Sequence, residues 1–351
     1  MKTKSSNTGW KLTTQSVILT AIAWGVIALL FFLLFSVPLP GQGRPGWYGI
    51  TTYILENMAF LGAGILCFRN WRSPQIVSGR TVWLAIGLGM FSYFIGNLLL
   101  AYWEIGLGKD PDISPGDFFF VATYLLLGWG MLLAVLSRRL SLSIVQWLIV
   151  LGIAVVGTIL AYTLTVAPVQ DEGSELPFPS DQEIVAEELP AATDPAIAPE
   201  TAPEVAPVPD AAAPDGAAAT PSAEEPVAED PASAPPSWAI AVDNALAPFA
   251  TLVGWLYIVG DLLLVVMATT LLLAFWGGRF SLSWRFIASA AFSFYIADMW
   301  FNYAINYIED YETGALPEVF WIFSGCLFAI GAALEFDLST RSRRGSRRRS
   351  T

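Results

Sequence analysis

Eight apolar stretches recur along the chain, near 16–37, 48–68, 82–103, 117–137, 143–166, 249–276, 284–306 and 317–337. Each is long enough to cross a hydrocarbon core of roughly 30 Å, which takes about 20 helical residues. The runs lack the two-residue alternation of barrel strands, and backbone groups in lipid must be satisfied within their own segment, so the pattern predicts α-helices. The expected fold is therefore an all-α integral membrane protein with eight transmembrane helices. The first run reads as a retained span rather than a cleaved leader. It ends Ser36-Val37-Pro38-Leu39-Pro40, with no small-residue cleavage site.

Charge sets the expected orientation. With the N-terminus in the cytoplasm, the inner segments hold Lys2, Lys4 and Lys11, then Arg69, Arg72 and Arg80, then Arg138 and Arg139, then Arg279 and Arg285. The last inner segment adds Arg341, Arg343, Arg344, Arg347, Arg348 and Arg349, leaving only Arg44 and Lys109 outside. Every loop obeys the positive-inside rule, which predicts an even number of spans with both termini in the cytoplasm. The arginine tail is expected to attract anionic lipid headgroups at about 1 kcal/mol per charge. Nucleic acid is a poor alternative, because no folded reader accompanies the tail.

One outer segment differs in kind. Residues 167–236 carry 15 prolines, 16 acidic residues and no lysine or arginine, with alanine filling most of the rest. Such a chain buries too little apolar surface to offset its ordering entropy and is expected to be a disordered, extended linker. One short helix is conceivable at Ser180, which has capping-box spacing with Glu183. The chain's formal net charge of −12 resides in this segment. A solvated spacer, or a tether for cations and basic partners at the outer face, both fit. After it, Trp238, Val242, Ala245, Leu246 and Phe249 fall on one side of a short interfacial helix at 237–248.

The spans repeat. At an offset of 201 residues, Phe91-Ser92-Tyr93-Phe94-Ile95-Gly96-Asn97 lies over Phe292-Ser293-Phe294-Tyr295-Ile296-Ala297-Asp298. The register continues through Tyr102 over Tyr303, Asp117 over Glu318, Phe119 over Phe320 and Gly130 over Gly331. At an offset of 204, Tyr53-x-x-x-Asn57 lies over Tyr257-x-x-x-Asp261. This predicts two parallel four-helix repeats related by an axis along the membrane normal. The chain then divides into an N-terminus at 1–15, repeat 1 with span 5 at 16–166, the linker at 167–236 and the interfacial helix at 237–248. The remainder of repeat 2 occupies 249–337, and the tail 338–351.

Candidate chemistry lies in the polar residues of the spans. Glu56, Asp261, Asp298 and Glu318 fall within or at the edge of apolar runs, with no lysine or arginine at their depth to pair with, since Arg285 lies at the inner end of the seventh run. Groups at such depth are expected to be protonated, hydrated or bound to a cation. Tyr295, Asp298, Asn302 and Asn306 form a stripe at helical spacing that is not expected to face lipid. Asn57 and Asn97 of the first repeat stand where the second has Asp261 and Asp298, and Tyr257 precedes Asp261 by one turn. Two readings are open: a proton or small-cation site between helices, or interhelical hydrogen-bond glue worth about 1 kcal/mol per bond.

Other patterns reduce to structure. Ser114-Pro115-Gly116-Asp117 fits a capped helix start. Asp110-x-Asp112-x-Ser114 lacks the glycine and glutamate of a calcium loop, and Gly108-Lys109 lacks the upstream glycine of a phosphate loop. Gly325, Ala329 and Ala333 permit close helix approach. Tryptophans near span ends read as an interfacial belt. Only 14% of residues are charged, below the soluble range, and the chain has no histidine, which removes histidine-based catalysis and the common zinc and haem sites. Cys67 and Cys326 lie in apolar runs and read as small core residues. No enzymatic activity and no cofactor are expected.

Gly96-Asn97-Leu98, Tyr102-Trp103-Glu104, Gly108-Lys109-Asp110-Pro111 and Ser114-Pro115-Gly116-Asp117 resemble multi-span input modules that precede diguanylate cyclase or kinase domains in bacteria. Tyr257-Ile258-Val259-Gly260-Asp261 and Ala297-Asp298 look like the later part of such modules. The resemblance implies a bacterial membrane sensor with an input or adaptor role, its output passing through a separate protein partner, since the sequence holds no output domain after span 8. A proton- or cation-coupled transporter, or an accessory subunit of a larger membrane complex, are the alternative expectations.

Overall fold

A computed structural model of the chain describes residues 13–38, 44–109, 113–136, 142–165, 235–275, 281–308 and 311–347, with side chains at 164, 165, 281 and beyond 340 excepted. Each expected span falls on a helix: α1 (Thr14–Phe35), α2 (Gly46–Arg72), α3 (Arg80–Ala101), α4 (Pro115–Leu136) and α5 (Ile144–Thr165). After the linker come the short α6 (Ser237–Leu246), then α7 (Ala250–Ala274), α8 (Ser281–Tyr307) and α9 (Val319–Arg347). Among the described residues there is no strand. The linker expectation, from 167 to 234, lies outside the described residues, as do the Ser180 helix, Asp110 and Asp112.

Seven helical stretches are long and apolar enough to cross a membrane. The remaining long helix, α8, has 27 residues but gives several turns to Tyr295, Asp298, Asn302 and Asn306, which dilutes its hydropathy. The outer surface is apolar, with Leu34 70%, Ile144 81% and Val156 66% exposed. A continuous apolar exterior of this kind suits lipid rather than water.

Local chemistry sets the helix boundaries. The Thr13 hydroxyl accepts from the Ser16 N–H at 3.1 Å and caps α1. The Ser114 N–H donates to Asp117 Oδ2 at 2.7 Å, closing the start of α4 as its sequence predicts. Two boundaries differ from expectation. Helix α3 does not stop cleanly but widens into a π turn over Tyr102–Gly106. Helix α9 runs ten residues past the expected end at 337, to Arg347, because the tail's arginines and serines continue a helix that already has its register. The backbone at Arg341, Arg343, Arg344 and Arg347 is thus helical. Their side chains, with Arg348 and Arg349, lie outside the described residues.

Helix α3 packs between α2 and α4, α9 packs on α8, α2 and α1, and α7 packs on α4, α5 and α8. Glycines allow the closest of these approaches. A methyl group added at Gly130 would stand 2.8 Å from Ile86, and one at Gly331 would stand 2.6 Å from Ile287. Gly325 brings α9 onto α2, where an added methyl would meet Ala59 at 2.9 Å. That contact is within one chain, as the small-residue spacing in span 8 suggests. The core between the helices is filled by fully buried side chains, among them Phe60, Ile86, Met90, Leu127, Leu264 and Phe328.

Candidate functional site

Five carboxylates are each paired with a tyrosine hydroxyl. Tyr93 donates to Glu56, Tyr53 to Glu104 at 2.6 Å, and Tyr257 to Asp117. Tyr124 donates to Asp298 at 2.7 Å, and Tyr311 to Glu318. A phenol bonds a carboxylate through one polar atom and offers an apolar ring to the helices around it. Tyrosine can therefore satisfy an acid in a setting with no free cation nearby.

The centre of the arrangement is Asp298 on α8. Its Oδ1 accepts from the Trp321 indole of α9 at 2.7 Å and its Oδ2 from Tyr124 of α4. Asp261 of α7 stands beside the same carboxylate and within reach of the Tyr124 hydroxyl. Asp261 is 2% exposed and its Oδ1 has no partner. Tyr295 stands within electrostatic reach of Asp261, and its hydroxyl, also buried and unpaired, lies where a side chain at Gly157 of α5 would come within 3.5 Å. Four helices thus meet on one pair of acids, and α5 closes the side.

A second centre lies across the aromatic core. Glu56 of α2 receives Tyr93, with Asn97 of α3 beside it and the Asn97 amide nitrogen unpaired. The Phe294 ring separates the two centres, edge-on to Tyr93 at 5.5 Å and to Tyr124 at 5.6 Å. Phe60 stacks on Tyr93 at 3.8 Å. Glu56 remains within electrostatic reach of Asp298 and Glu318.

Several sequence candidates take other positions. Glu318 closes a turn before α9, accepting from the Gly314 and Ala315 N–H groups at 2.7 and 3.2 Å as well as from Tyr311. In the loop before α9, burial and the neighbouring Glu318 carboxylate push the Tyr311 hydroxyl far above the ordinary tyrosine range, which keeps it a donor. Gly314 has φ 105°, and Tyr48 donates to its carbonyl at 2.6 Å. Arg44 ties that loop to the end of α1, donating to the carbonyls of Thr313 at 2.8 Å and Ser36 at 3.0 Å. Asn57 bonds back to its own helix, at the Tyr53 carbonyl. Tyr257 serves Asp117 rather than Asp261.

The expected stripe on span 7 divides. Asp298 and Tyr295 face helices, whereas Asn306 is exposed and donates to the Asn302 carbonyl at 2.7 Å. The helix passes beyond the packed layer at its last turns, so the spacing alone overstates how much of the stripe is covered.

Two polar assemblies have no counterpart among the sequence candidates. At the other end of the bundle, Glu335 of α9 is fully buried and takes the Ser78 hydroxyl at 2.7 Å, while Trp83 donates to Ser78 at 2.7 Å. Asn70 donates to the Ala332 carbonyl at 2.9 Å, so this clamp ties the α2–α3 loop to α9. Glu335 lies two residues inside the expected end of span 8, where an acid reads as a solvated flank. On the α6 side, Lys109 pairs with Asp243, which also accepts from Trp103 at 2.8 Å.

No protein family, no characterised protein and no solved structure matches the chain.

Proposed function

We propose that the chain is a non-enzymatic, multi-pass protein of a bacterial cytoplasmic membrane, acting as an input or adaptor subunit of the sensor-module kind. In this reading both termini are cytoplasmic, the acidic linker is extracytoplasmic, and the eight long helices form two parallel four-helix repeats. Paired positions support the repeat. Gly130 faces Ile86 and the Val82 carbonyl, and Gly331, 201 residues on, faces Ile287 and the Ser283 carbonyl. Trp83 and Trp284, the same interval apart, meet at 6.1 Å, and Tyr93 meets Phe294 at 5.5 Å. Equivalent residues touch each other where a pseudo-two-fold axis passes between them.

The observation that carries the functional reading is the separation of polar layers. The tyrosine and carboxylate cluster occupies the half of the bundle assigned to the outer side. Between it and the Glu335 clamp lie fully buried apolar side chains such as Ile86, Met90, Leu127 and Leu271. This layer favours passing on a change of helix packing over passing a solute. Helix α9 joins the two ends: Trp321 touches Asp298, and Glu335 lies about 21 Å further along the same helix at ~1.5 Å per residue. Lipid surrounds the bundle, and a membrane or outer-face protein partner receives the signal.

Affinity purification from native membrane in mild detergent tests this. The reading expects a stoichiometric partner and a signalling output that changes on deletion of the gene. An isolated chain together with an unchanged output would remove it. Loss of the partner on deleting 170–235 would instead favour an accessory subunit held by its linker.

One observation favours a second reading, a proton- or cation-coupled transporter. Two acids in contact, one with an unpaired oxygen, are a site that protons can enter and leave. In reconstituted vesicles Asp298→Asn then abolishes flux. Equal flux in wild type and variant, or none in either, returns the cluster to the adaptor reading.

A further inference from the structure

Two carboxyl groups can hydrogen-bond to each other only if a proton lies between them. Asp261 and Asp298 stand side by side for that contact across α7 and α8, with the Tyr124 hydroxyl within reach of both. Indole N–H is a donor only, so Trp321 fixes Asp298 Oδ1 as an acceptor, and Tyr124 donates to Oδ2. Both oxygens of Asp298 are therefore dressed as those of a carboxylate. Asp261 has no donor on Oδ1, which remains a buried, unpaired oxygen as in the carbonyl of a neutral acid. We propose that Asp261 and Asp298 form a site for one exchangeable proton, carried by Asp261 and donated to Asp298.

A metal cation fits less well. Asp298 has spent its oxygens on donors, the surrounding surface is the aromatic rings of Tyr124, Trp321 and Phe294, and no group of three or more metal-ligating side chains occurs among the described residues. The titratable groups facing the pair are Tyr124 from α4, Tyr257 on α7 itself, Tyr295 on α8 and, at longer range, Glu56 from α2 and Tyr93 from α3. Gly157 of α5 brings no charge. None supplies a cation, so loss of the proton leaves two like charges in contact and drives α7 from α8. Tyr124 links that motion to α4, since its ring fills the hollow over Gly260 of α7 while its hydroxyl holds Asp298.

This deepens the input reading by naming the proton as the species sensed, and its test does not depend on any partner. Infrared spectra of the full chain in nanodiscs at neutral pH, with carboxyl-13C aspartate, separate aspartic from glutamic acid bands. The proposal expects an isotope-shifted protonated carboxyl band in wild type. It is lost in Asp261→Asn, retained at higher frequency in Asp298→Asn as its acceptor weakens, and displaced in Tyr124→Phe. Absence of that band in wild type, or its survival in Asp261→Asn, overturns the proposal. Should Asp261→Asn fail to fold, Tyr124→Phe decides, because an undisplaced band also overturns it. A failed partner search with the band present removes the adaptor reading and leaves the proton site standing.

Discussion

Tyr124 does two separate jobs with one side chain. Its ring sits against Gly260, where an added methyl would come within 2.7 Å, and its hydroxyl satisfies a half-buried aspartate from another helix. Tyr124→Phe keeps the ring and removes only the bond. It is expected to lower stability by about 1 kcal/mol, the usual scale for an interhelical hydrogen bond in lipid. Tyr102→Phe, half exposed at the end of α3, is expected to change nothing measurable. Denaturant unfolding in detergent checks both, and a Tyr124→Phe protein as stable as wild type would make the hydroxyl contact incidental. Asp261 and Asp298 were legible as candidates because carboxylates in apolar runs stand out. Their partners Tyr93, Tyr124 and Trp321 were not. Aromatic residues are ordinary in spans, and which face of α4 or α9 meets α8 is set by tertiary packing that periodicity within one helix does not encode.

At the scale of the elements, hydropathy located every long helix, and the turn residues located the start of α4. The 201-residue offset goes further, since it pairs Gly130 with Gly331 from the sequence alone. Each glycine faces an isoleucine from the preceding long helix. Gly130→Ala and Gly331→Ala are each expected to cost about 1–3 kcal/mol by overpacking. The atoms in the way are Ile86 Cγ1 and Ile287 Cγ1 and Cδ1, so Ile86→Ala should offset part of the first cost and Ile287→Ala part of the second in double-mutant cycles, whereas the crossed combinations should add without relief. Relief in the crossed pairs, or none in the matched pairs, would contradict the correspondence. What the pattern missed are the π turn of α3 and the clamp at Glu335. Both depend on where a loop or neighbouring helix presses, and an acid near a span's end looks the same in sequence whether buried or solvated.

For the whole molecule, the account rests on orientation. The carboxylate cluster is an outer, input-side feature only if the basic loops lie in the cytoplasm and the acidic segment lies outside. Cys67 and Cys326 are both free and buried, so the native protein gives little background to thiol reagents. A single cysteine introduced as Ser222→Cys in the acidic segment, compared with Thr351→Cys at the tail, reports each side with a membrane-impermeant maleimide on sealed cells. The account predicts labelling at 222 on intact cells and at 351 only after lysis. Protection of 222 until lysis, with 351 labelled on intact cells, would invert the topology and contradict the sensing direction proposed for the cluster.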